Sequence, residues 1–132
     1  MSFVEINLND AVEPQTVGEG QYTVRVTDRA VANPDKSFIR VMLSIENSGR
    51  EFPAPISHPI FCPKEDDDKV KFNNKLRSIK TFCKAFGITF ETGTMEELAN
   101  LIEPGMEATA LLTEEDDEKY GPQNKVRRFI LA

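Results

Sequence analysis

Phe38 and Arg40 stand two positions apart on a stretch whose other members, Ile39, Val41, Leu43 and Ile45, form an uninterrupted apolar face. A ring and a guanidinium on the polar side of such a stretch can stack on a base and pair with a phosphate. These are the two contacts that hold an unpaired strand without reading its sequence. A Phe exposed to water also asks for a reason. Arg25 and Arg29 occupy the polar side of the preceding stretch, where Tyr22, Val24 and Val26 point the other way. Tyr120 adds a ring near Gly121-Pro122, and Lys125 and Arg127 follow it. Phe61 flanks a proline-rich segment, and Lys69 and Lys71 open a basic stretch. These ten residues are the candidate nucleic-acid contacts. The three rings and the two helix lysines each have a plainer alternative. Phe38 can pack beneath the N-terminal segment and Tyr120 on Pro122. One of Phe52 and Phe61 can belong to the core, and the lysines can be a solvated helix face.

Nothing else in the chain carries chemistry of its own. Asp66-Asp67-Asp68 has the charge for a divalent metal, but consecutive side chains diverge and no further acid completes a site; a helix start explains them better. His58, between prolines, has no partner to make it a general base. Cys83 falls in an apolar stripe and reads as core, Cys62 stays open, and the two fit no metal or redox spacing. The Gly18–Gly20 pair lacks the following helix and the Lys-Ser/Thr of a phosphate loop. The expectation is a non-catalytic protein without cofactor or metal.

The chain has 132 residues, 39% hydrophobic and 29% charged, the size and mix of one globular domain. No apolar run approaches a membrane span, and Met1–Asp10 lacks the basic start and apolar middle of a secretory leader. A reduced, cytoplasmic protein is expected. The net charge of −6 excludes binding nucleic acid through bulk positive charge. Charge is uneven, however. Lys64–Gly87 holds seven basic and four acidic residues, Ile88–Asn124 ten acids and one lysine, and the last eight residues return to +3. A local basic surface is compatible with an acidic whole.

Alternation marks strands at Gln21–Val31, Ser37–Glu46, Met106–Thr113 and Lys125–Leu131, with a short one at Phe3–Leu8. Glu51–Cys62 is extended, but Pro53, Pro55 and Pro59 make it an edge or broken strand. Phe72, Leu76, Ile79, Cys83 and Phe86 step as one helical stripe, opened by Asp66–Asp68 and ended by Gly87. Thr94–Ile102 is a second, shorter helix with Thr94 and Glu97 as a capping box. Glu114–Asn124 reads as an acidic loop. Residues 1–19 read as an arm, either flexible or packed on the domain or on a second copy. Residues 20–132 read as one domain.

Three strands, a helix and two strands is the order of a five-stranded antiparallel OB-fold barrel, with the helix between the third and fourth strands. The segments Gly20–Val24, Lys80–Ile88 (KTFCKAFGI), Pro104–Leu112 (PGMEATALL) and Glu114–Ile130 resemble a family of phage-encoded proteins. That family was long known only as a domain of unknown function, and its members are regarded as OB-fold single-stranded-DNA-binding proteins. The resemblance implies a barrel that protects single-stranded DNA in phage replication or recombination. Implied partners are single-stranded DNA and replication or recombination proteins, and a homo-oligomer is compatible with it. An acidic tail of the kind that recruits partners is not seen; the acidic run Glu114–Glu118 is internal. The second expectation, favoured by the net charge, is an acidic protein-interaction module on the same barrel. It would be a phage structural component or an inhibitor of a host DNA-binding enzyme.

Overall fold

Ile39, Val41, Leu43 and Ile45 are all buried, at 4% exposure or less, and the strand that carries them organises the sheet. The structure, a computed structural model, describes residues 4–119 and 121–131. In chain order the elements are β1 (Gly20–Val26), β2 (Val31–Asn33), β3 (Phe38–Ile45), β4 (Ile56–Phe61), α1 (Lys69–Phe86), α2 (Met95–Leu101), β5 (Glu107–Asp117) and β6 (Gly121–Ile130). All strand pairs are antiparallel.

The first expected strand, Gln21–Val31, breaks in two at Thr27–Ala30. Its halves, β1 and β2, share one edge of β3: β1 pairs along Leu43–Ile45 and β2 along Phe38–Arg40. At the break the Val26 N–H and carbonyl serve Met106 and Gly105, while the Thr27 N–H turns to Met42. The strand bends so that β1 can pair with β3 on one side and β5 on the other.

The other edge of β3 carries β4, and β5 carries β6. These two ends of the sheet approach each other, with His58 of β4 edge-on to Phe129 of β6 at 5.2 Å. No hydrogen-bonded ladder joins them, so the expected five-stranded closed barrel is instead an open sheet of six strands. The physical reason lies in β4. Pro59 brings no N–H to any ladder, and the rings of His58, Phe129 and Phe82 fill the space between the ends.

The inner face of the sheet packs against Phe82, Cys83 and Phe86 of α1, and against Leu98, Ala99 and Ile102 in and after α2. Asp68 caps α1 by accepting the Lys71 N–H at 2.8 Å. Gly87, at φ 71°, ends it in the left-handed conformation, and Ile88 N–H closes on the Cys83 carbonyl at 2.8 Å. Thr94 caps α2 by accepting from Glu97 N–H at 3.1 Å. The expected stripe holds only in the second half of α1. Phe72 and Leu76 are exposed, and Phe82, absent from that stripe, is buried.

Two further expectations change. Glu114–Asp117 is not loop but the outer part of β5, paired with Gly121–Asn124 of β6. Its acids lie exposed on a ribbon that extends beyond the core, so pairing them carries no desolvation cost. Val4–Leu8 forms no strand; a single 3-10 turn occupies Leu8–Asp10. Among the described residues the arm is fixed to the sheet at its end, residues 15–17. Gln15 bonds the backbone of Phe52 and Ala54, and Val17 is 1% exposed in the core.

Candidate nucleic-acid interface

Phe38 and Phe61 face each other across the β3–β4 ladder, their ring centroids 6.4 Å apart and tilted by 52°. The turn before β3 sets the first ring. Asn33 Oδ1 accepts the Lys36 N–H at 3.2 Å, Ser37 takes a positive φ of 52°, and its carbonyl receives the Cys62 N–H at 2.8 Å. That last bond ties the end of β4, and with it Phe61, to the start of β3. Phe38 is half-buried, and Phe61 is 56% exposed. Neither ring lies on the core side, because their neighbours Ile39 and Ile60 do.

The two rings sit in a groove of about 1390 Å³ between the β3–β4 ladder, α1 and β6. Val70, Lys71, Asn74, Lys75 and Ser78 form its α1 wall, related by steps of three and four that keep them on one side of the helix. Six cations line it: Lys36, Arg40, Lys64, Lys71, Lys75 and Lys125. Asp68, the helix cap, is the acid among the lining residues. Asp67 lies beneath the wall, 2.8 Å from Lys75 Nζ and 3.7 Å from Lys71 Nζ. The Lys75 hydrogen bond, with one from the Lys64 N–H, holds the Asp67 carboxyl below its usual range. Lys125 Nζ reaches Glu115 at 3.1 Å. The side chains of Lys36, Arg40 and Lys64 make no ion pair among the described residues. The groove therefore combines stacking surface with unneutralised positive charge.

Of the ten sequence candidates, Phe38, Arg40, Phe61, Lys71 and Lys125 meet in this groove. Lys69 is exposed at the start of α1 outside the lining. Arg127 lines a smaller adjoining hollow between α1 and β6, with Arg77 and Arg128, that shares His58, Asn74, Ser78 and Val126 with the groove. Arg29 is exposed in the β1–β2 break, away from the groove. Arg25 is committed to protein: its guanidinium bonds Glu107, with Nε at 3.0 Å, and lies 3.5 Å from Glu46. Those carboxylates hold it more firmly protonated. Tyr120 lies outside the described residues.

Sequence reasoning missed Lys36, Lys64 and Lys75 as lining residues. The signals were present: Lys36 precedes β3 by one turn, Lys64 follows Phe61 by three residues, and Lys75 is one helical turn from Lys71.

His58 is packed rather than exposed. It stacks on Phe82 at 6.0 Å, and burial lowers its pKa to about 4, so it is a neutral ring at physiological pH. Cys62 and Cys83 are buried free thiols whose pKa burial raises. Among the described residues no group of three or more His, Cys, Asp or Glu is placed to hold a metal ion, and no helix is long and apolar enough to cross a membrane. Neither protein-family models nor curated proteins give a match to this chain.

Proposed function

We propose that the chain binds single-stranded DNA in the groove between β3–β4 and α1, without catalysing a reaction on it. The observation that carries this reading is the Phe38–Phe61 ring pair set among six lining cations. Two rings offered side by side provide stacking for neighbouring bases, and Lys36, Arg40 and Lys64 have charge to spare for phosphates. A duplex keeps its bases stacked on one another and has none to give these rings. The sheet order supports reading the fold as an OB barrel open at its β4–β6 seam. In that frame the protein protects displaced strands during phage replication or recombination, in the cytoplasm of the host cell.

The test is fluorescence anisotropy of a labelled oligo-dT of about 30 nucleotides, long enough to fill the site of one OB unit. Salt is varied and unlabelled duplex competes. Binding that weakens with salt and resists the duplex supports the proposal. Absence of binding at low salt overturns it.

A second reading has one observation in its favour. The β5–β6 ribbon carries Glu114, Glu115, Asp116, Asp117 and Glu118, all exposed, on a paired scaffold that holds their spacing. A rigid acidic ribbon suits a basic protein surface, as an interaction module or an inhibitor of a DNA-binding enzyme would need. If the oligonucleotide fails to bind, a pull-down with Glu114→Lys/Asp116→Lys as control is the corresponding experiment.

A further inference from the structure

Val4, Ile6 and Leu8 are 91%, 87% and 84% exposed. They alternate with Glu5 and Asn7, the sidedness of a half-buried strand. Among the described residues this stretch pairs with no strand. The arm is nevertheless tethered, since Gln15 and Val17 are fixed to the domain behind it. Residues 4–14 carry Glu5, Asp10 and Glu13 and no cation. The result is a fixed-length, acidic strip with one apolar side in water.

A surface of matching character lies across α1 from the aromatic groove. Leu76, Ile79, Ile88, Phe90, Met95 and Leu98 line a trough of about 980 Å³. Leu76 is 47% exposed, and Ile79, Ile88, Phe90 and Met95 are only partly covered. Lys80 and Lys84, both exposed, stand on its α1 rim; Glu91 is the acid among its lining residues. The trough is apolar with a basic edge, and the arm is apolar with acidic neighbours.

We propose that the arm of one copy lies in this trough of a second copy. Val4, Ile6 and Leu8 cover the apolar lining, and Glu5 and Asp10 meet Lys80 and Lys84. The occupant is a second copy because the chain's own arm stands in solvent while its own trough stays open. Reciprocal exchange closes a two-fold dimer, and one-way docking gives a row of copies. Both need the arm and the trough in different molecules. The proposal does not depend on nucleic acid and is tested without it.

The experiment is sedimentation velocity of the full chain from low micromolar to several hundred micromolar. The wild type is expected to exceed the mass of one chain as concentration rises. Ile6→Asp/Leu8→Asp and, separately, Lys80→Glu/Lys84→Glu should weaken association at least tenfold. All four positions are exposed, so circular dichroism should be unchanged. Mixing Glu5→Lys/Asp10→Lys with Lys80→Glu/Lys84→Glu should restore association between the two. A wild type that stays monomeric throughout overturns the proposal, as does association that survives the arm substitutions. So does association broken by Lys64→Glu/Lys71→Glu but not by Lys80→Glu/Lys84→Glu, which would put the arm in the aromatic groove.

Discussion

The carboxamide of Asn124 holds both backbone groups of Val17: its Oδ1 accepts the Val17 N–H at 2.8 Å, and its Nδ2 donates to the Val17 carbonyl at 2.8 Å. The same Nδ2 donates to the Thr113 carbonyl at 3.1 Å. One buried side chain thus joins the arm, β5 and β6, and stands in for a missing strand partner. Asn124→Leu leaves the Val17 groups unpaired beside the core. At about 1–3 kcal/mol for each of the two buried groups left unsatisfied, the expected loss is about 2–6 kcal/mol. Urea unfolding measures it, as a lower midpoint.

Two of the four candidate arginines, Arg40 and Arg25, separate cleanly by their partners. Arg40 lines the groove without an ion pair, and Arg25 is held by Glu107 and Glu46. Arg40→Ala should lower the salt slope of single-strand binding by about 0.7. Arg25→Ala should leave the slope unchanged. Equal slopes for the two variants would remove Arg40 from the site.

Phe61→Ala should weaken oligo-dT binding by about 1–3 kcal/mol, the usual worth of one stacking ring. Phe61 is more than half exposed, so thermal unfolding should change little. Isothermal titration of the folded variant checks the first outcome and a melting curve the second. A large drop in melting temperature with unchanged affinity would make Phe61 a packing residue.

His58 gives the fold a pH dependence of definite sign. Its folded pKa of about 4 lies below the value near 6.5 of an unfolded chain. Between those values the unfolded state binds the extra proton. Stability is therefore complete above about pH 6.5, falls as pH drops toward about 4, and loses roughly 3 kcal/mol in all. Asp67, held low chiefly by Lys75, adds a further loss only in the acid range, as pH falls through its depressed pKa. Chemical denaturation at a series of pH values should show the slope between 6.5 and 4 in the wild type. His58→Leu should flatten it.

Phe82 and Phe72 test which face of α1 is the core face. Phe82 is 2% exposed, with its ring 4.6 Å from Phe86 and 5.5 Å from Phe129. Phe72 is 40% exposed. Phe82→Ala should cost about 3–5 kcal/mol, and Phe72→Ala less than about 1. Unfolding midpoints of the two variants decide it.

That pair also shows where sequence periodicity stops being informative. The apolar steps from Phe72 to Phe86 were legible, and so were the caps Asp68 and Gly87. Periodicity says which residues share a face, however, not how far along the helix the sheet reaches. The sheet covers only the last turns of α1, so Phe72 and Leu76 lost their cover and Phe82 replaced them. β3 was legible in full because both of its sides are paired and its apolar face is wholly buried. The acidic end of β5 was not, because its pairing with β6 depends on backbone bonds that composition does not record. The groove was half legible. Phe38, Arg40 and Phe61 are conspicuous on their own strands. Lys36, Lys64 and Lys75 join them only because β3, β4 and α1 converge, and that convergence is a tertiary fact.

α1 spans 18 residues, about 27 Å, yet only its second half rests on the sheet. Its first half, Lys69–Ser78, stands between two open hollows, held by the Asp68 cap and the Asp67–Lys75 bond. The helix therefore behaves as a cantilever. Backbone amides beyond Phe82 should open only with the whole domain and keep their protons longest. Those near the free end, on residues exposed to water, should fray on their own and exchange sooner. Opening of the wall that carries Lys71 and Lys75 should thus leave the core intact, its main cost being the Asp67–Lys75 bond.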